Sequence, residues 1–434
     1  MKRLSETLIK PAKFPFFYGY VIVIFTTIGT IASAPGQTLG VSAFTESLLK
    51  ALQLKRVWLS LAYGIGTFSG AVFIRYTGRL FDRYGGRITA VGCSFLFGLS
   101  LIYISHTDKI AARVYTAFPF FNFKTIGFIL ITIAFFLIRF LGQGSLTLIC
   151  RNTMMLWFVH YRGRIASLSG IFIDLVFNAT PGFFNILINT FNWRQAWLYI
   201  AAGVGIGYTL LAWIFLRDKP EKYGLHPDGK TAARKNKNTT SATDSREFTV
   251  RQARQTLLFW VFAVSLALWA LYNTALFFHI EDIFQTAGLN SDRTFAIFFP
   301  IAVIAMSSRL LSGFLSDYIK LQYLLIVMLL SIILSSLSVI FLSPVLKYVL
   351  IAATGTGGGI FGILIAVSFP DLFGRKHLGE ISGLAVSVIV AFSAAGPFLF
   401  ALSKILCHNY HLILILCILA AVICMSGGYI VRKT

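Results

Sequence analysis

Twelve runs of about 20 mostly apolar residues follow one another along the chain, each long enough to cross the hydrocarbon core of a bilayer. They centre in residues 16–41, 57–77, 88–106, 125–148, 165–189, 194–216, 257–280, 293–314, 321–342, 345–369, 379–403 and 409–431, and are numbered spans 1 to 12. Hydrocarbon offers no water to backbone N–H and C=O groups, so each run must close its own hydrogen bonds as an α-helix. Composition agrees. Charged residues make up 12% of the 434-residue chain and apolar residues 57%, whereas a soluble domain carries roughly 25% charge. Mean hydropathy is +0.77. A disordered chain, a disulfide-stapled secreted scaffold and an ordinary cytosolic enzyme are excluded. The predicted class is an all-α polytopic membrane protein.

The formal charge of +22 does not point to nucleic acid, because the basic residues lie between the spans and not on one face of a polar domain. Loops of this kind set topology and meet anionic lipid headgroups. With the N-terminus inside, the inner loops and tails carry 25 Lys and Arg against 10 in the outer loops. Both termini are therefore expected in the cytoplasm. Lys2, Arg3, Lys10 and Lys13 precede a run of full spanning length, so span 1 reads as a retained anchor. The one long polar insertion, 217–256, holds ten of the 38 basic residues. It divides the chain into a six-helix half, 1–216, a cytoplasmic linker, and a second six-helix half, 257–434. Residues 230–245 read as flexible linker and 246–255 as a short amphipathic helix on the membrane surface. The longest outer loop, 107–124, is expected in the interface, and Lys404, Cys407, His408 and Asn409 divide span 11 from span 12. The five cysteines form no CxxC pair and read as small buried hydrophobes.

Two segments echo each other after spans 2 and 8. One reads Gly78-Arg-Leu-Phe-Asp82-Arg83 and continues through Gly85 and Gly86 to Arg87; the other reads Gly313-Phe-Leu-Ser-Asp317 and reaches Lys320. Both are taken as loops with the pattern Gly-x-x-x-Asp followed by a base. The glycine permits close helix approach, and the carboxylate can cap a helix or pair with a base. In span 4, Arg139 is followed by Gly142-Gln143-Gly144.

These segments resemble the major facilitator superfamily over the whole chain. The resemblance implies twelve transmembrane helices in two pseudo-symmetric halves. Gly78, Asp82, Arg83, Arg87, Gly313 and Asp317 then stand at its gating positions. Phe17-Tyr18-Gly19-Tyr20, Pro35-Gly36-Gln37-Thr38 and Arg309 before Gly313 further resemble the branch of the oxalate/formate antiporter and the monocarboxylate transporters. In that branch an arginine at the place of Arg309 contacts the substrate carboxylate. The chain departs from it twice. No base occurs from Ser382 to Ala401, where the antiporter has a lysine, and the monocarboxylate transporters' span 1 lysine is also absent. Oxalate itself and a proton-linked lactate cycle are disfavoured accordingly.

Charges inside spans are costly and mark candidate sites. Arg75 lies near the end of span 2 and can snorkel. Arg309 lies about six residues from the inner end of span 8, roughly 9 Å along a helix. Its planar fork suits a carboxylate, and the competing reading is a base paired within the gate. Arg139 and Asp174 sit at similar depth in spans 4 and 5, either as a structural ion pair or as a proton-responsive one. Polar residues recur at helical spacing on three spans: Thr26, Thr30, Ser33 and Gln37; Asp174, Asn178, Pro181, Asn185 and Asn189; and Ser265, Trp269, Tyr272 and Leu276 with Asn273 beside them. Such stripes face a bundle interior or a water-filled cavity. The expected substrate set is Arg309, Gln37, Arg139, Gln143, Asn178, Trp269, Tyr272 and Asn273, with Asp174 and His279 as proton-coupling candidates. His279 has an interfacial hydrogen-bonding role as its alternative.

Gly357 to Gly362 matches GxGxxG but lies inside an apolar span with no preceding strand, so Gly355 and Gly359 read as helix-packing residues and not as a dinucleotide site. No GxxxxGK[ST] occurs and no metal-ligand spacing stands out. No cofactor is expected. The function expected is secondary active transport of a small polar, carboxylate-bearing solute across a bacterial inner membrane. It would run by alternating access in a monomer among membrane lipids, driven by a proton gradient or by exchange with a counter-anion. A proton-coupled exporter of drugs or siderophore-like molecules is the alternative within transport. A polytopic enzyme or sensor is the alternative outside it, with no acid/base set converging at one depth.

Overall fold

A computed structural model of the protein describes residues 10–118, 120–229, 247–288 and 295–433. Among them, eleven helices are long and apolar enough to span a membrane: α1 (Gly19–Ser42), α2 (Arg56–Tyr84), α3 (Gly86–Ser105), α4 (Phe123–Trp157), α5 (Arg162–Phe191), α6 (Trp193–Phe215), α7 (Leu257–Thr286), α8 (Phe298–Ser316), α9 (Leu321–Ile340), α10 (Leu346–Phe373) and α11 (Leu378–Cys407). The last helix, α12 (His411–Lys433), follows the same apolar pattern. The fold is thus all-α, with each predicted span recovered as a helix.

Several helices, α2, α4, α5, α7 and α11 among them, outrun the apolar runs that announced them. The segment Gly78 to Tyr84 is the last two turns of α2 and not a loop, and Gly313 lies within α8 with Asp317 as its C-cap. Hydropathy reports where apolar residues stop, whereas a helix stops where its backbone is broken. In α2 that break is Gly85, whose φ of +85° is open to glycine and costly for other residues. Pro35 and Gly36 interrupt α1, which restarts at Thr38. In α4 the turns from Arg139 to Leu146 widen into a π-helix, an irregularity that recurs at functional positions. Shorter helices occupy Thr45–Leu52, Thr107–Ala117 and Val250–Gln255. The last, within the stretch expected to be a short helix, is started by a capping box between Thr249 and Gln252. The expected flexible stretch 230–245 and the leading residues 1–9 lie outside the described residues.

Two compact units divide the chain. The first comprises Met1–Val159, Phe172–Ser241 and Leu378–Leu384; the second comprises His160–Ile171, Ala242–His377 and Ala385–Thr434. Within the first, α3 and α6 cross so closely that a Cβ on Gly98 would lie 3.0 Å from the Gly205 nitrogen. Within the second, Gly355 and Gly359 bring α10 onto the α8 backbone: a Cβ on Gly359 would stand 2.6 Å from the Arg309 nitrogen. These two glycines pack helices, as their spacing predicts.

Candidate functional site

Arg309 lies in α8 with its side chain half-buried. Its guanidinium rests against two residues that carry no side chain, Gly170 of α5 and Gly362 of α10, both in the second unit. Neither glycine stands out in the sequence as a site residue. Gly362 belongs to the apparent dinucleotide motif, and its use here is to leave room for a cation.

Arg139 is buried at 6% exposure and is satisfied by neutral partners. Its Nε donates to Thr67 Oγ1 at 3.0 Å, and one Nη donates to the Gly36 carbonyl at 3.0 Å and to Thr38 Oγ1 at 3.4 Å. The Tyr63 ring lies 4.9 Å beneath it. These contacts join α4 to α1 and α2, in place of the expected ion pair with Asp174. The reason is local: the Pro35-Gly36 interruption of α1 turns the Gly36 carbonyl towards α4. Gln143, in the same widened stretch, is half-buried, and Gln37 donates to Ser33 Oγ at 3.1 Å. Asp174 is half-buried on α5, where Asn178, itself exposed, donates to the Asp174 carbonyl at 2.8 Å.

The α7 stripe packs inward. Trp269 and Tyr272 are 1% and 0% exposed. The Tyr272 hydroxyl meets Ser335 Oγ at 2.6 Å, which in turn meets Thr354 Oγ1 at 3.0 Å, and the Trp269 indole covers Gly357. These two side chains fasten α7 to α9 and α10. Asn273 is half-buried beside them. His279, farther along α7, bonds through Nε2 to the Pro397 carbonyl at 3.0 Å and through Nδ1 to the Tyr410 hydroxyl at 3.3 Å. Tyr410 also donates to Asp282, which pairs with Lys404.

The two Gly-x-x-x-Asp segments form matching contacts. Asp82 accepts from the backbone N–H of Gly379 and of Glu380, each at 2.8 Å, and so caps the first turn of α11 from another helix. Arg79 donates to Glu380 at 2.8 Å, and Gly78 lies against Gly379. In the second unit Asp317 accepts from the Gly163 N–H at 2.9 Å in the first turn of α5, and Gly313 lies against Gly163 and Ser167. Arg164 Nε stands 3.2 Å from Asp317 Oδ2, and Arg162 pairs with Asp371. Burial pushes the Asp317 carboxyl above the usual carboxylate range, against the pull of the Gly163 and Arg164 N–H groups and the Arg164 guanidinium. Each segment therefore presents a glycine and a carboxylate, one helical turn apart, to the start of another helix.

Two residues grouped with these segments stand elsewhere. Arg87 Nε donates to the Trp213 carbonyl at 2.8 Å and its amide N–H to Asp218 at 3.2 Å, so it ties α3 to the end of α6. Arg83 lies over the Tyr84 ring, with 5.2 Å to the centroid. The first-turn residues Gly163, Arg164, Gly379 and Glu380 are absent from the expected site set; their signal is a second repeat, Gly163-Arg-Ile-Ala-Ser-Leu168 against Gly379-Glu-Ile-Ser-Gly-Leu384, each a glycine followed by a charged residue at a helix start. Among the described residues, no group of three or more His, Cys, Asp or Glu is placed to hold a metal ion.

Comparison with known proteins places this geometry. The family model described as Major Facilitator Superfamily matches residues 16–397. No curated protein matches the sequence. Among solved structures, the proton:xylose symporter XylE bound to 6-bromo-6-deoxy-D-glucose superposes with a TM-score of 0.65 at 15% identity, covering 96% of this chain and 95% of its own. The E. coli fucose:proton symporter FucP gives 0.61 at 13%, covering 95% and 98%. The human organic anion transporter MFSD10 gives 0.63 at 12%, covering 95% and 99%. At these identities the likeness is one of fold.

Proposed function

The chain belongs to the major facilitator superfamily, and we propose that within it this transporter moves a small carboxylate-bearing solute that is bound by Arg309. Membership makes it a membrane transporter and not an enzyme. The fold does not choose the solute, since the similar structures are named for sugars in two cases and an organic anion in the third. The reading is carried by one observation: a guanidinium in the body of α8, half-buried and seated against the backbones of two other helices. Arginine keeps its charge at any physiological pH. Its value at such a place lies in attraction and in a planar fork that matches two carboxylate oxygens at once.

In this reading the helices rock about the bound solute, opening alternately to each side of the membrane. The Asp82 and Asp317 contacts close one side, taken as cytoplasmic from the loop charge, with both termini on that side. Each capped helix start favours negative charge, so each carboxylate adds attraction as well as hydrogen bonds. Transport is driven either by protons carried on Asp174, with His279 as a second candidate, or by exchange with a second anion. A bacterial inner membrane is the setting proposed.

The test is ligand affinity of the purified transporter. Arg309→Lys keeps the charge and loses the fork, so carboxylate binding should weaken while some transport survives. Arg309→Gln should lose nearly all carboxylate binding, because α11 supplies no base from Ser382 to Ala401. Unaltered carboxylate affinity in folded Arg309→Gln would overturn the proposal.

A further inference from the structure

We infer that Gly170 and Gly362 are positioning residues that hold the Arg309 guanidinium in its carboxylate-binding orientation. The inference rests on the proposed anion role of Arg309 and extends it to two residues that touch no solute. A Cβ added to Gly362 would meet, as its three nearest atoms, Nη2, Cζ and Nε of Arg309, with Cζ at 2.7 Å and Nε at 2.8 Å. A Cβ added to Gly170 would meet Nη1, Cδ and Cζ of the same side chain, with Cδ at 2.9 Å and Cζ at 3.2 Å. Each Nη group therefore has its own glycine, contributed by a different helix. Arg309 has four rotatable side-chain bonds, and a fork free to swing would spread its two donors over many directions. Two backbones at contact distance remove that freedom before a ligand arrives, which raises affinity by lowering the ordering cost of binding.

Gly355, Gly359 and Gly362 recur at helical spacing on α10, but they do different jobs. A Cβ on Gly359 would strike the α8 backbone, with the Arg309 nitrogen at 2.6 Å, and the helices would have to separate. A Cβ on Gly362 would strike only the far end of a flexible side chain, which can turn aside while the helices stay in place. Gly358, one turn before Gly362, has its nearest neighbours at 3.8 Å and 4.0 Å and tolerates a methyl group. Alanine also favours the helix over glycine. Gly362→Ala and Gly170→Ala should therefore fold as well as wild type and present a displaced arginine.

The experiment measures affinity by thermal shift and by equilibrium binding of acetate, lactate, pyruvate and succinate to the purified full chain. It compares wild type, Gly362→Ala, Gly170→Ala, Gly358→Ala, Arg309→Gln and the double variant Gly362→Ala with Arg309→Gln. The tightest carboxylate should bind Gly362→Ala and Gly170→Ala on the order of tenfold more weakly, a loss of the size expected for one charge-assisted hydrogen bond. Melting temperatures should stay at or above wild type, and Gly358→Ala should bind normally. In the Arg309→Gln background the added Gly362→Ala should leave residual binding unchanged and should not lower the melting temperature, because the group it displaces is gone. Normal affinity in both glycine variants, alongside lost affinity in Arg309→Gln, would overturn the positioning role and leave the anion reading standing. An equal additional loss in the double variant would do the same, marking Gly362 as structural. If no carboxylate binds wild type, or Arg309→Gln binds as wild type does, the anion reading and this inference fall together.

Discussion

Tyr272 shows how a single polar atom in a membrane helix is assigned. Its hydroxyl lies 2.6 Å from Ser335, and the ring is wholly buried between helices. Interhelical hydrogen bonds of this kind contribute roughly 0.6–1 kcal/mol. Tyr272→Phe should therefore lower stability by about that amount, read as a small fall in melting temperature, and leave substrate affinity and transport unchanged. A large loss of affinity with normal stability would return Tyr272 to the substrate site. The sequence shows that Ser265, Trp269 and Tyr272 share one face of a helix, because the period of 3.6 residues is written in the spacing. It does not show what that face meets, since Ser335 and Thr354 lie 63 and 82 residues away. Arg139 is similar: its charge inside a span makes it visible, but its partners are two threonines and a backbone carbonyl exposed by a helix break, none of which carries a charge to betray it.

At the scale of elements, the repeated Gly-x-x-x-Asp unit becomes intelligible once it is seen as helix and not loop. Four residues make about one turn, so glycine and carboxylate share a face. The glycine lets another helix start approach, and the carboxylate caps it. This division gives an ordered prediction. Asp82→Asn keeps one acceptor oxygen but sets an NH2 against the other backbone N–H, so it loses one of the two hydrogen bonds together with the attraction to the helix end. Asp82→Ala also loses the cap, about 0.5–2 kcal/mol. Gly78→Ala would place a methyl 2.6 Å from the Gly379 carbonyl carbon, against backbone that cannot turn aside. Turnover measured in proteoliposomes should fall in that order, with Gly78→Ala worst, and Kd for the substrate should stay within about twofold throughout. The matching series at Gly313 and Asp317 should behave alike. Equal losses of Kd would place these residues in binding and not in gating. The unit itself was legible because it is repeated. Its partners share a fainter pattern, Gly163-Arg-Ile-Ala-Ser-Leu168 and Gly379-Glu-Ile-Ser-Gly-Leu384, which lies far from the Gly-x-x-x-Asp units in sequence, and only the three-dimensional pairing gives it a role.

For the molecule as a whole, the succession of apolar runs sufficed to foresee twelve helices, because a bilayer admits so few alternatives. The same runs say nothing of substrate or coupling, which depend on a few charges whose partners are distant in sequence. Asp174 is the test case for coupling. It is the one acid well inside the apolar spans read from the sequence, and Arg139, its expected partner, is satisfied elsewhere by neutral oxygens. A proton-coupled carrier must bind a proton with the solute, release both, and return empty after the acid has lost its proton. Asparagine imitates the protonated carboxyl permanently. Asp174→Asn should then still exchange labelled for unlabelled substrate across a liposome membrane, because exchange never requires the empty carrier to return. Net uptake driven by an acid-outside gradient should fall at least tenfold, and its pH dependence should flatten. An anion exchanger behaves differently, since it needs no proton: exchange should survive Asp174→Asn, and the acid gradient should drive no net uptake even in wild type. Loss of exchange and net uptake together, in protein that still binds substrate, would place Asp174 in the rocking movement itself and remove it from the coupling path.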